Sequence, residues 1–262
     1  MNTAVYIVKK ALNIQHRKGR YWEIDAFRGF AIVLMVFYHF VWDLYYFRFA
    51  DIDMLTGFWQ VFARVIASLF LFTSGVSVAI GYQRSEVRKN HSFKRVLARA
   101  GIIFGWALVI SAVSFVQFGK QGGIVFGILH LLAVGIVIGY GVAMLPNILV
   151  FLLVPAVSVL GWFLYFHVFS HDPWYIWLGI RQYGRLMYDY YPVFPWIASV
   201  LFGVFCGKLL FKDGKPVYTL PDLGGVFPFH TLALMGRYSL PIYLVHQPVL
   251  IAGFTLVVML LQ

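Results

Sequence analysis

The sequence predicts an all-α polytopic membrane protein: a helix bundle of about seven transmembrane helices, with the N-terminus on the cytoplasmic side. Three observations carry this reading. The 262 residues are 61% hydrophobic and only 12% charged, with a mean hydropathy of +0.80, far outside the soluble range. The apolar runs are long enough for helices that cross ~30 Å of hydrocarbon. Lys and Arg alternate between rich and poor connections, as the positive-inside rule requires of a multi-pass chain.

The spans are expected at 27–47, 57–82, 96–117, 123–143, 146–168, 192–211 and 236–260. The first follows a basic stretch and runs on without a small-residue cleavage site, so it reads as an anchor and not a removable signal peptide. Connections between spans are too short for a soluble domain, so 1–262 is expected to form a single transmembrane domain, with 1–26 as a cytoplasmic segment. Of the two longer loops, 169–191 is rich in Trp and Tyr and suits the outer interface. The other, 213–228, is rich in Pro and Gly and reads as a cytoplasmic loop.

A net charge of +11 would suit nucleic acid if it formed one patch, but it is distributed by topology. Lys9, Lys10, Arg17, Lys18, Arg20 and Arg28 precede or open the first span. Arg84, Arg88, Lys89, Lys94, Arg95 and Arg99 surround the second connection, and Lys208, Lys212, Lys215 and Arg237 surround the sixth. The alternate connections hold only Arg48, Lys120, Arg181 and Arg185. The three basic groups are therefore expected to face the cytoplasm, and no nucleic-acid partner is expected. One cysteine, Cys206, precludes an intramolecular disulfide. No internal repeat is visible.

The most informative stretch is RYWEIDAFRGFAIVLMVFYHFVWD, residues 20–43. Arg28 and His39 are eleven residues apart, which returns to within ~20° of one helix face and climbs ~16 Å. Asp43 lies one turn further on that face. Ionisable groups in a membrane helix are costly, so this stripe should face protein or water. Other spans add Arg64, His130, and His246 with Gln247. Asp43 and Arg64 are expected to form a buried ion pair. Asp43 is also placed to orient His39 as a base. His130 reads equally as a helix-to-helix hydrogen-bonding residue or a catalyst. His246 and Gln247 suit backbone carbonyls freed by Pro241 and Pro248. Glycines 101, 105, 135 and 139 read as close-packing sites. No His or carboxylate pairs recur at metal-ligand spacing, so no metal is expected.

The opening EIDAFRGFAIVLMVFYH resembles the first-helix signature of membrane-bound acyltransferases, an acidic residue followed by an arginine and, after ten residues, a histidine: here Asp25, Arg28 and His39. Within that class, FWQVFARVIASLFLFTSGVSVAIGY (58–82), VFGILHLLAVGI (125–136), DYYPVFPWIASVLFGVFCGKLL (189–210) and GRYSLPIYLVHQPVL (236–250) are similar to the prokaryotic relatives of heparan-alpha-glucosaminide N-acetyltransferase. The resemblance implies acetyl transfer from cytoplasmic acetyl-CoA, the acyl donor, to a sugar amine or hydroxyl presented from the other side. By that resemblance His39 is catalytic and Arg28 is associated with the acyl-CoA; the residues themselves add Asp43 and His130 as catalytic candidates, and Arg237 and Arg95 as further basic groups to hold the CoA phosphates. Arg64, Asp189, Tyr243, His246 and Gln247 bind substrate or support the site, and a donor for the thioester oxygen would come from His130, Gln247 or Tyr243. One departure is visible. The lysosomal branch has Asn at the place of His39 and its key histidine in the first luminal loop, where this chain reads RFADIDMLTG, so the amino-sugar substrate does not carry over. The implied partners are membrane lipid and a glycan or glycolipid acceptor, and a homo-oligomer is compatible with the sequence. Two other classes stay open: a proton-coupled transporter using the same His and Asp residues, and a membrane subunit whose histidines only pack.

Overall fold

A computed structural model describes residues 20–183 and 189–261; the basic residues Lys9, Lys10, Arg17 and Lys18, and Arg185, lie outside the described residues. Eight α-helices are described: α1 (Trp22–Tyr46), α2 (Gly57–Val87), α3 (Phe93–Gly122), α4 (Ile128–Ala143), α5 (Asn147–His167), α6 (Val193–Leu210), α7 (Phe229–Arg237) and α8 (Ser239–Leu260). Six of them, all except α4 and α7, are long and apolar enough to cross a membrane. The chain is therefore an integral, multi-pass, all-α membrane protein. It divides into two compact units: both chain ends (Met1–Phe47 with Pro221–Gln262) form one, and Arg48–Leu220 forms the other.

In the central unit α2, α4 and α6 run parallel. A Cβ on Gly75 would lie 2.0 Å from the Val200 carbonyl oxygen, one on Gly203 2.1 Å from that of Phe72, and one on Gly207 2.8 Å from the Ala79 Cβ. Backbone thus meets backbone along α2 and α6, the small-residue contact that lets apolar helices associate in lipid. Helix α4 follows the same direction, since Leu131 packs with Leu71 and Ile197 while Ala143 packs with Ala79 and Val204 further along. Helices α3 and α5 run the other way. Phe104 meets His130 and Phe93 meets Tyr140, and Gly161 lies against Pro195 while Phe151 meets Phe205. Five alternating passes result, and α4 counts among them.

Helix α4 has only 16 residues, or ~24 Å, and starts at Ile128 rather than at the expected 123. Residues 123–127 are not helical, and their polar backbone is met by the surrounding protein: Ser114 Oγ accepts from the Ile124 N–H at 2.9 Å and the Phe126 carbonyl accepts from the Tyr191 N–H at 3.2 Å. Irregular backbone at membrane depth is tolerated only with such partners. At the other end, the Lys208 ammonium donates to the Leu145 carbonyl just beyond α4, a cation at the negative end of the helix dipole. Gly101 and Gly105 on α3 face open space, whereas Gly135 and Gly139 pack on Val200; only the second pair matches the close-packing expectation. After α6, Asp213 and Gly214, both at positive φ (54° and 70°), form the tight turn between strands β1 (Phe211–Lys212) and β2 (Lys215–Pro216). Two positive φ values in a two-residue loop match the twist of a hairpin.

The unit made of the chain ends contains α1, α7 and α8. The expected last span, 236–260, breaks at Tyr238, where φ is −100° and ψ 22°, so the amphipathic α7 precedes the spanning α8. A Cβ on Gly29 would lie 1.8 Å from the Leu232 carbonyl oxygen, and one on Gly236 1.8 Å from that of Asp25. Helices α1 and α7 cross there in backbone contact. Helix α8 then runs parallel to α1, with His246 beside His39, Gln247 beside Asp43, and Phe254 beside Phe47.

Candidate functional site

The chain-end unit gathers its polar residues at two levels of α1. At the lower level the carboxylate of Asp25, itself 5% exposed, joins two of the three arginines expected to meet acyl-CoA. Arg237 Nε donates to Asp25 Oδ2 at 3.2 Å, and an Arg28 guanidinium nitrogen lies 3.7 Å from Asp25 Oδ1. The two guanidinium groups keep 18% and 16% exposure. The local sequences explain the geometry. Arg28-Gly29 on α1 and Gly236-Arg237 on α7 each put a glycine beside an arginine, so the backbone contact at the glycines brings Arg237 onto Asp25.

The upper level lies eleven residues further along α1, ~16 Å away. The His39 and His246 rings are 4.8 Å apart, centroid to centroid, at 58°. His246 Nδ1 is 2.7 Å from the Tyr243 carbonyl oxygen. A carbonyl only accepts, so Nδ1 carries the proton and, in the neutral ring, Nε2 presents its lone pair. Gln247 Nε2 donates to Asp43 Oδ1 at 2.8 Å, and Asp43 is 1% exposed. Asp43, expected to orient His39, is met within its own unit by the amide of Gln247, which the parallel α8 holds at the same depth. Asp43 Oδ2, Gln247 Oε1 and His246 Nε2 are buried with no hydrogen-bond partner.

In the central unit His130 and Asp189 come together at the start of α4. His130, 4% exposed, accepts through Nδ1 from the Gly127 N–H at 3.2 Å and packs its ring against Phe104 and Phe126, 5.4 Å from each. The Asp189 carboxylate accepts from the Ile128 N–H at 3.3 and 3.4 Å. A Cβ on Gly127 would lie 2.1 Å from Asp189 Oδ2, so the absent side chain leaves the space this carboxylate fills. Asp189 thus supplies from 61 residues away the cap that Gly127 lacks. Burial pushes its carboxyl up to about 6, and the Ile128 N–H opposes that rise. These contacts give His130 and Asp189 a structural task at a helix end.

Two further expected residues belong to the Arg48–Leu220 unit. Arg64 is an exposed residue of α2. Arg95, also exposed, donates to the Asn90 side chain at 2.6 Å and its carbonyl at 3.2 Å, closing the turn before α3. Two features escaped the sequence reading: Asp25 as the shared partner of two arginines, and the Gly29–Gly236 contact. Asp25 precedes Arg28 by three residues, a same-face spacing, and that was the available signal. Among the described residues, no group of three or more His, Cys, Asp or Glu is placed to hold a metal ion.

The fold and the buried polar clusters define a multi-pass membrane protein with ionisable groups held in its interior. The family described as heparan-alpha-glucosaminide N-acetyltransferase, catalytic, matches residues 20–248, which include both levels of α1 and the start of α4. The chain belongs to that family of membrane acetyltransferases. No match was found among curated proteins.

Proposed function

We propose that the protein transfers an acetyl group from cytoplasmic acetyl-CoA to an amine or hydroxyl of a sugar, glycan or glycolipid at the outer side of a prokaryotic inner membrane. The observation that carries this reading is the two-level arrangement on α1: a positive mouth of Arg28 and Arg237 and, ~16 Å further along the helix, a histidine pair. Phosphates of the nucleotide suit the guanidinium groups, while an extended pantetheine arm spans the interval to bring the thioester to His39. His39 takes the proton as the acceptor nitrogen or oxygen bonds to the carbonyl carbon. The carbon–sulfur bond then breaks, and the departing thiolate receives that proton to leave as CoA.

The test is sidedness. In oriented vesicles, radiolabelled acetyl-CoA supplied on the cytoplasmic side leaves its label on an acceptor exposed outside. Neutralising Arg28 (Arg28→Gln) raises the KM for acetyl-CoA far more than that for the acceptor. A protein that binds no CoA species and acetylates no glycan, yet carries a substrate-dependent proton flux abolished by His39→Ala, would be a transporter.

A further inference from the structure

The hydrogen-bond inventory at the upper level is lopsided. Gln247 turns its NH2 toward Asp43, which leaves its carbonyl Oε1 facing away, buried and without a partner. His246 commits its Nδ1–H to the Tyr243 carbonyl, which leaves the Nε2 lone pair in the same condition. Two buried acceptors therefore stand on one stretch of α8, beside the His39 ring and the 1%-exposed Asp43. Burying a polar atom without a partner is costly, and native structures keep such atoms for a reason. A thioester carbonyl, itself an acceptor, would meet lone pairs with a lone pair. A ligand rich in O–H or N–H donors would satisfy both.

The geometry points to His246 and Gln247 as the binding site for the acetyl acceptor, selecting one that offers at least two neighbouring donors, such as the vicinal hydroxyls or amino-alcohol of a sugar ring. The inference rests on the acetyltransferase reading. It gives each neighbour a distinct part. Asp43 is a positioning residue, because its Oδ1 fixes which way the Gln247 amide points. The Tyr243 carbonyl fixes the His246 tautomer. His39 receives the proton from the donor group that reacts, and the other donors are held by Gln247 Oε1 and His246 Nε2. Selection follows from the penalty for mismatch: a site built to accept hydrogen bonds rejects an analogue lacking the donor, because its own buried atoms are left unpaired.

The experiment uses the full chain in lipid nanodiscs with radiolabelled acetyl-CoA and four acceptors of equal chain length: octyl glucoside, octyl glucosaminide, octanol and octylamine. The two glycosides are expected to be favoured over the single-donor compounds by about 10-fold or more in kcat/KM. Gln247→Met and His246→Phe should each raise the glycoside KM about 10-fold and shrink that preference, while the KM for acetyl-CoA stays within about two-fold. His246→Gln, which keeps a side-chain acceptor, should recover part of the loss. Transfer that favours no glycoside overturns the inference while leaving the acetyltransferase reading intact. So does a loss of kcat shared equally by all four acceptors with the preference unchanged. Should His246→Phe fail to fold, Gln247→Met decides alone. If the wild-type chain transfers acetyl to none of the four, both readings fall.

Discussion

The two histidine clusters differ in what their polar atoms are used for. In the central unit, His130, Asp189 and Lys208 each hold a backbone group at an end of α4. Acid sits at the positive end of the helix dipole and base at the negative end. The cost of placing these groups near lipid is repaid by a short helix whose ends would otherwise lie bare. In the chain-end unit, His39, Asp43, His246 and Gln247 contact one another, yet three of their atoms are left buried without partners. Buried residues of the same type thus divide into those whose bonds are spent on the fold and those with polar atoms left unbonded. The difference lies in hydrogen-bond completeness and not in residue identity.

Replacing one histidine of each cluster is the most direct way to break that division. His39→Ala should lower kcat by ~10²–10⁴, the usual contribution of a general base, with little change in thermal stability. His130→Ala should do the reverse, because it strands the Gly127 N–H and empties the space between Phe104 and Phe126. A loss of ~1–3 kcal/mol is expected from the unsatisfied donor alone, with kcat of the folded fraction within a few-fold of wild type. Steady-state kinetics beside intrinsic-fluorescence melts separate the two. A His130 variant that melts normally but loses kcat as His39→Ala does would dissolve the distinction.

Glycines sharpen the same comparison at the level of helix contacts. Gly236→Ala places a methyl 1.8 Å from the Asp25 carbonyl oxygen, which forces α1 and α7 apart and should cost ~1–3 kcal/mol or more. The crossing also sets the Arg237–Asp25 contact, so the KM for acetyl-CoA should rise with it. Gly101→Ala on α3 meets open space and should stabilise by up to ~1 kcal/mol through helix propensity. Melts that fail to distinguish the two substitutions would mean that the α1–α7 backbone contact is not made.

Most of the fold was legible because it follows from hydropathy and loop charge, which need no knowledge of neighbours. The stripe of Arg28, His39 and Asp43 was legible for the same reason, as helical spacing fixes a face. Partners were not. Gln247 reaches Asp43 because α8 runs parallel to α1, a fact held by no local pattern. The start of α4 was misjudged because residues 123–127 are apolar enough to read as helix. Their backbone is satisfied by Ser114 and Tyr191, distant in sequence. Asp189 gave no sign that it would cap Ile128, since a cap drawn from 61 residues away leaves no local signature.

Asp189 provides the finest test, through pH. Its carboxyl is raised from 3.8 to about 6 by burial, so the folded chain holds this proton more tightly than the unfolded chain does. Stability linked to Asp189 is therefore fully present below about pH 4, falls as pH rises to about 6, and is level above that. The sign is opposite to that of a salt-bridged carboxylate, whose stabilisation disappears in acid. Asp189→Asn keeps an oxygen to accept from the Ile128 N–H but removes the titration. Its melting temperature should lose the Asp189-linked slope between about pH 4 and 6 and equal or exceed that of the wild type at neutral pH. Asp189→Ala also abolishes the slope but takes the cap away, costing ~0.5–2 kcal/mol relative to Asp189→Asn at every pH. Melts of the three proteins across that range decide the matter. If Asp189→Asn retains the wild-type slope, another group titrates there; if it also loses kcat while its stability is unchanged, Asp189 belongs with the reacting groups and not with the caps.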